Sequence, residues 1–273
     1  MRYKLLALDI DGTLLNSKSE LTPRTKEAIL RAKERGIIVV LATGRRLAKT
    51  LPFVDDLGLS APVVIHNGAV IYDIASQQTI VQRGIELAIA RDIVDKLDSL
   101  DINYVVYTGE SAGERVVAPI GTWDEEEDLI ASYLIESAEF LEHVDLVAPP
   151  ARISTIDRVP KIEALFELLS RDYAEAMNAL VFETELNVWR GIEIIPANCS
   201  KGQGLADVAS RLGVGQGEVV AIGDNVNDIE MIAWAGLGIA MDNGSQLLKE
   251  QAKKIAPSYD EDGVAQVIEE FLL

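Results

Sequence analysis

Cysteine is nearly missing from this chain: Cys199 stands alone, which excludes an internal disulfide and fits a reducing compartment. Long apolar runs are absent too. No stretch approaches the ~18 residues of a membrane span, and Met1-Arg2-Tyr3-Lys4 leads straight into a strand-like segment, so no signal peptide is expected. Basic residues are short, 25 against 44 acidic, and the formal charge of −19 argues against a nucleic-acid or anionic-membrane surface, both of which need a positive footprint. There is no internal repeat and no low-complexity segment. No Gly-Lys-Ser/Thr follows a glycine loop, and Gly213-Val214-Gly215-Gln216-Gly217 precedes a strand where a dinucleotide loop would follow one. The 48% hydrophobic content excludes general disorder, and 273 residues allow one or two domains. The expected setting is cytoplasmic, with the chain a monomer or small homo-oligomer.

What is present begins at Asp9-Ile10-Asp11-Gly12-Thr13, directly behind the apolar run Leu5 to Leu8. Strand side chains alternate with period two, so Asp9 and Asp11 lean to the same side of a strand end. Two anions that close repel each other, and a fold that collects them supplies a hard cation or splits their protonation. The competing reading is an Asp-rich turn. Three more polar clusters follow apolar β-like runs: Thr43-Gly44-Arg45 after Ile37 to Ala42, His66-Asn67-Gly68 after Val63 to Ile65, and Gly223-Asp224-Asn225-Val226-Asn227-Asp228 after Val219 to Ile222. Apolar runs of this kind suit strands buried on both faces of a parallel sheet, where ligands bind at the carboxyl ends. Four polar strand ends converging on one site is the consequence.

The predicted fold is α/β, a doubly wound parallel-sheet core split by an inserted α+β domain, with residues 1–83 and 191–273 as core and 84–190 as the insertion. Thr22-Pro23 reads as a helix start and Gly36 as its stop, and a second β-α-β unit runs through Arg46 to Asp55 and on to Val63. Val70 to Tyr72 and Thr79 to Val81 flank a polar turn as a hairpin would. Within the insertion, helix-like stretches (Glu86 to Ser99, Asp124 to Glu142, Lys161 to Arg171) alternate with β-like ones (Asn103 to Tyr107, Arg115 to Ala118, Ala151 to Ile156, Leu180 to Val188). The core pattern is expected to return with a strand over Ile192 to Ile195, followed by a helix from Lys201 to Leu212, strands at Val219 to Ile222 and Gly238 to Ala240, and a helix starting near Asn227.

A carboxylate nucleophile splits phosphoryl transfer into two steps. Asp9, nearer the strand, is placed to attack phosphorus, and Asp11 to protonate the leaving oxygen and then take a proton from water. Asp224 completes an oxygen site suited to Mg²⁺. Asp228 orients a metal-bound water in one reading and is an ordinary first-turn helix acid in the other. Lys201, just inside a helix capped by Ser200, sits where a cation meets the positive end of the helix; a bound phosphate removes that conflict, and an exposed lysine is the alternative. Thr43 and Gly44 offer a hydroxyl and a backbone N–H to the same anion, or a helix cap. Arg45 and Arg46 add positive potential or are surface residues. The acidic run Asp124 to Asp128 suits a solvated helical turn, His66 a structural role, Cys199 a buried inert thiol, and Trp189 packing at the return to the core.

Asp9-Ile10-Asp11-Gly12-Thr13, Thr43, Lys201 and Gly223-Asp224-Asn225-Val226-Asn227-Asp228, in this order, resemble the four motifs of the haloacid dehalogenase superfamily of phosphohydrolases. The insertion, together with Thr43-Gly44-Arg45, Asn67-Gly68-Ala69 and the Gly-Asp-X-X-Asn-Asp form, is similar to the Cof-type sugar-phosphatase branch with a large α+β (type IIB) cap. The resemblance implies a Mg²⁺-dependent phosphatase acting on a small phosphorylated metabolite through an aspartyl-phosphate, with Asp9 as nucleophile and Asp11 as acid/base. It implies a cation held by Asp9, the backbone carbonyl of Asp11 and Asp224, and phosphate held by Thr43, Lys201 and Asn227, to which the residue reading adds the Gly44 N–H. Transport ATPases of the superfamily resemble the chain at Asp9 but lack the second aspartate, so Asp11 argues for rapid hydrolysis. A phosphomutase and a non-catalytic phosphosugar-binding regulator are the alternatives. Every candidate chemical residue lies outside 84–190, which makes the cap the expected selector of the leaving group.

Overall fold

The structure is a computed structural model that describes residues 2–110, 113–120, 138–183 and 188–273. The chain divides into two units, Met1–Val81 with Ser200–Leu273, and Gln82–Cys199. In the first unit, short strands pair in parallel in the order Lys254–Ala256, Leu237–Met241, Val219–Gly223, Leu5–Leu8, Ile38–Leu41. Leu5 and Ala7 point to one face and Leu6 and Leu8 to the other, and all four are fully buried, so both faces are covered. Leu5, Ala7, Val40 and Ala221 pack with Leu205 and Val208 of helix Lys201–Arg211 and with Met231 of helix Ile229–Trp234. Burying an aliphatic side chain of leucine size contributes ~1.5–3 kcal/mol, so this layer fixes the helices firmly on the sheet. Helix Pro23–Glu34 starts where expected: the Thr22 hydroxyl accepts the Thr25 N–H at 3.2 Å, with Pro23 in the first turn.

Register decides where the site forms. Leu8 is level with Leu41 and with Ile222, and Ile222 with Ile239. The residues that follow, Asp9, Thr43 and Asp224 among them, therefore leave the sheet together at the carboxyl ends of its strands. The expected second β-α-β unit is present, with helix Leu47–Asp56 leading into strand Val63–Ile65, but this strand goes on to serve another sheet. It joins the main sheet only through a parallel bridge between Ala42 and Val64, and then runs antiparallel to Val70–Asp73 in a three-stranded sheet completed by Gln78–Gln82. The cause is the turn His66–Gly68, which reverses the chain through three successive left-handed residues.

The second unit is α+β. Its sheet runs in the order Met177–Glu183, Trp189–Pro196, Arg152–Arg158, Tyr104–Glu110, Gly113–Pro119, Glu139–Leu141, antiparallel except for the last pair. Helices Leu87–Ser99 and Val159–Asp172 bring Ile93, Leu97, Ile162 and Leu165 onto Tyr104, Val106, Ile153 and Ile192. Ile192 to Ile195 is thus no returning core strand: it pairs antiparallel on both sides inside this second sheet, and the unit ends at Cys199 instead of residue 190. The alternation of buried Ile192 and Ile194 around partly exposed Glu193 is the period-two signature of such a sheet. Of the stretch Asp124 to Glu142 expected to be helical, Glu139–Leu141 is a strand, and the part before residue 138, with the acidic run Asp124 to Asp128, lies outside the described residues. Among the described residues no helix is long and apolar enough to cross a membrane.

Candidate active site

Asp9 leaves strand Leu5–Leu8 in extended conformation and is buried, and the chain then winds into a turn at Ile10–Leu14. That turn needs Gly12, whose φ of +78° is left-handed; a Cβ there would stand 2.3 Å from Asp224 Oδ2. Removing the side chain lets the loop close onto the end of strand Val219–Gly223. Thr13 completes the closure by donating its hydroxyl to Asp224 Oδ1 at 3.1 Å, and Asn243 donates to the Gly12 carbonyl at 2.8 Å.

Lys201 is the centre of the cluster. Ser200 caps its helix by accepting the Gln203 N–H at 3.1 Å, as expected, but the Lys201 side chain is fully buried and not the exposed lysine of the alternative reading. Its Nζ donates to Asp9 Oδ1 and to Asp228 Oδ1, each at 2.7 Å. Two carboxylates thus resolve the sign conflict at this helix end. Asp228 is more than a first-turn acid. Its Oδ2 accepts the N–H groups of Asp224 and Asn225 at 3.0 and 3.1 Å, so both oxygens are committed to holding the lysine and the loop.

Carboxylate oxygens of Asp9, Asp224 and Asp228 lie within 4.8 Å of one another. Three carboxylates against one ammonium leave the cluster with an excess of negative charge. Burial pushes the Asp9 carboxyl well above its ordinary range; Lys201 opposes the shift and the neighbouring Asp228 and Asp224 add to it. Burial likewise, with Asp228, pushes Asp224 up to about 6, against Lys201 and the Thr13 hydrogen bond. For Lys201 burial acts downward, but the two carboxylates prevail and its pKa is raised. An all-oxygen donor set with surplus negative charge matches what a hard divalent cation requires.

Asp11 is not in this buried cluster. Its carboxylate, 56% exposed, is clasped by Arg45, which donates Nε to Oδ2 at 2.7 Å and a terminal nitrogen to Oδ1 at 2.5 Å. Arg45 is therefore neither free potential nor a surface residue; it ties the first motif to the second, and sequence spacing does not reveal the pair. Arg46 is buried. Thr43 is buried, and its hydroxyl accepts the Arg45 N–H at 3.1 Å. Gly44 lies against Asn67: a Cβ there would be 3.1 Å from the Asn67 amide. Asn227 donates Nδ2 to Asn67 Oδ1 at 3.0 Å. The sequence places Asn67 at a polar strand end without giving its side chain a part in the site, and it assigns none to Thr13 or Asn243. The signal for Thr13 is its place inside the motif; none marks Asn243. His66 is buried, and Cys199 is buried as expected, with burial pushing its thiol up to about 12. Trp189 is buried and packs under Arg158, 5.1 Å from its ring.

The model of the family of haloacid dehalogenase-like hydrolases matches residues 6–268. The 5-amino-6-(5-phospho-D-ribitylamino)uracil phosphatase YwtE of Bacillus subtilis is 31% identical over 290 residues, covering 98% of each chain. The pyridoxal phosphate phosphatase YbhA of Escherichia coli is 28% identical over 281 residues and covers all of both. A crystal structure of a haloacid dehalogenase-like hydrolase from Bacteroides thetaiotaomicron superposes with a TM-score of 0.81 at 27% identity, covering 98% of this chain and 99% of the other. The motif order, the parallel sheet whose strand ends carry it and the whole-length match agree, and the chain belongs to the haloacid dehalogenase-like hydrolases as a phosphatase of that family.

Proposed function

We propose that the chain is a Mg²⁺-dependent phosphatase that hydrolyses small phosphomonoesters, sugar phosphates or related metabolites, through a phosphorylated Asp9. The observation that carries this reading is the position of Lys201 Nζ, buried between Asp9 and Asp228 with Asp224 beside them. One oxygen of Asp9 accepts from Lys201, which leaves the other for attack on phosphorus. Asp9, the backbone carbonyl of Asp11 and Asp224 are the residues assigned to Mg²⁺, while Asp228 anchors Lys201 from behind. When bound there, the cation offsets the surplus carboxylate charge and screens Asp9 from an incoming phosphate.

Thr43, the Gly44 N–H, Asn227 and the third N–H of Lys201, an ammonium having three donors, are assigned to the phosphate oxygens. Asp11 is the general acid for the leaving oxygen, which passes as the alcohol, and then the base that takes a proton from the water attacking the acyl-phosphate. Its pairing with Arg45 implies that the clasp opens before Asp11 gives up a proton. The uracil and pyridoxal phosphate phosphatases among the relatives support a small phosphorylated substrate but differ from each other in the leaving group. Choice of leaving group is assigned to residues 84–190.

The test is phosphate release from a panel of phosphorylated sugars, cofactors and nucleotides, with Mg²⁺ and with excess chelator, for the wild type and Asp9→Asn. Turnover that needs Mg²⁺ and vanishes in the near-isosteric amide variant is expected. Full activity in chelator, or in Asp9→Asn, overturns the reading.

A further inference from the structure

The turn His66–Gly68 is unusual in itself. His66, Asn67 and Gly68 have φ of +48°, +52° and +92°, and a left-handed conformation at two successive residues other than glycine is rare enough to ask what it secures. It secures contacts to two of the other polar strand ends, at Thr43 to Arg45 and at Asn227, and to the start of the helix that carries Lys201. The Asn67 N–H donates to the Thr43 carbonyl at 3.0 Å and the His66 N–H to the Arg45 carbonyl at 3.1 Å. Gly68 approaches the helix that carries Lys201 so closely that a Cβ would stand 2.0 Å from the Ser200 carbonyl oxygen. The buried Asn67 side chain lies against Gly44, and its Oδ1 accepts from Asn227 Nδ2 at 3.0 Å. Asn227 Oδ1, on the other side of that amide, is buried without a hydrogen-bond partner among the described residues.

We infer that Asn67 is a positioning residue for phosphate binding: its Oδ1 fixes the Asn227 amide in the orientation that presents an N–H to the anion. An asparagine amide is a donor on one side and an acceptor on the other, and only the donor side attracts a phosphate oxygen. An acceptor held rigidly beside it selects that side, because the reversed amide sets two carbonyl oxygens against each other. Nδ2 carries two hydrogens, one used by Asn67 and one remaining for the phosphate. The unpartnered Asn227 Oδ1 is the visible consequence of this choice, since a reversal driven by that oxygen's own needs is prevented. The left-handed backbone at Asn67 is then the means by which a short turn carries the amide to Asn227 while its N–H holds Thr43.

The inference rests on the proposed role of Asn227, and the experiment separates the two. Inhibition by inorganic phosphate is measured against an aryl phosphate at saturating Mg²⁺ for Asn67→Gly, Asn227→Ala and the double variant. Glycine keeps the left-handed turn and removes only the amide. Asn227→Ala is expected to weaken phosphate by roughly tenfold or more, the scale of a lost hydrogen bond to a charged group. Asn67→Gly should weaken it about two- to tenfold, and the double variant should be no worse than Asn227→Ala, since Asn67 acts through it. Half-saturation by Mg²⁺ should not move. If the two single losses multiply in the double variant, Asn67 does not act through Asn227, although Asn227 itself remains a phosphate ligand. Unchanged phosphate inhibition in Asn227→Ala overturns both. Should Asn67→Gly fail to fold, Asn67→Ser, whose hydroxyl is too short to reach Asn227, replaces it in the cycle, and multiplying or non-multiplying losses decide as before.

Discussion

In the parallel sheet of the first unit the strands bury only apolar side chains, and the buried polar residues Asp9, Thr43, Asn67 and Asp228 stand at or beyond carboxyl ends, whereas the antiparallel sheet of the second unit buries Arg152, Ser154, Thr155 and Asp157 within a single strand. The second set includes locally satisfied groups. Arg152 pairs with Glu193 at 2.6 Å and lies 4.0 Å over the Tyr107 ring, Thr155 donates to the Asn103 carbonyl at 2.8 Å, and Asp157 accepts from Lys161 at 3.0 Å. In the first unit Lys201 faces Asp9 and Asp228 with Asp224 close by, and charge does not balance. Balanced polar burial holds a fold, while unbalanced burial is tolerated where a ligand supplies the missing charge.

Among variants that keep Asp9, the largest expected effect falls on Asp11, whose exposed carboxylate is paired with Arg45 outside the buried cluster. Asp11→Asn should reduce kcat/KM by about 10²–10⁴, the range for a lost general acid/base, with aryl phosphates suffering less than sugar phosphates when phosphorylation of the enzyme is rate-limiting. Equal losses, with that step shown to limit both, remove Asp11 from the acid role.

Next comes the contrast between two ion pairs. Lys201→Met leaves Asp9 and Asp228 buried without a cation, and urea unfolding in chelator should show a loss of about 3–5 kcal/mol. Arg45→Met breaks a pair whose acid is half exposed and should lose no more than about 1 kcal/mol. Similar losses in both would dissolve the distinction drawn between buried and exposed charge.

A smaller effect is the pH dependence of cation binding. The Asp224 carboxyl is raised from 3.8 to about 6, so the folded protein holds a proton there that the unfolded chain has released, and this group's contribution to stability falls as pH rises from about 4 through 6. Mg²⁺ needs the ionised form. The increase in Tm on adding Mg²⁺ should therefore be small at pH 5 and larger at pH 7, measured by thermal melts at fixed ionic strength. An increase independent of pH would exclude Asp224 from the cation site.

The smallest effect is expected in the second unit. Arg152→Met should lower stability but leave kcat/KM for an aryl phosphate within about twofold, because its pairing with Glu193 and Tyr107 serves the second sheet and not the proposed chemistry. Substitutions across residues 84–190 should instead move the ratio of kcat/KM for sugar to aryl phosphate. A ratio that never moves would return selection to the first unit, to loops such as His66 to Ala69.

The sequence by itself determined the parallel core and the candidate chemical residues, because apolar runs ending in Asp9, Thr43 and Asp224 are local patterns that parallel pairing then brings level. It also marked Ser200 as a cap and Gly36 as a stop, since caps answer to backbone groups within one turn. Only the tertiary structure decided that Lys201 is buried between Asp9 and Asp228, that Arg45 clasps Asp11, and that Asn67 accepts from Asn227, partners 192, 27, 34 and 160 residues apart. It likewise sent Ile192 to Ile195 into the second sheet. The physical reason is common to these cases: a side chain's charge and a strand's hydrophobicity are written in the chain, but which partner neutralises the one and which sheet edge receives the other depend on where distant segments come to rest.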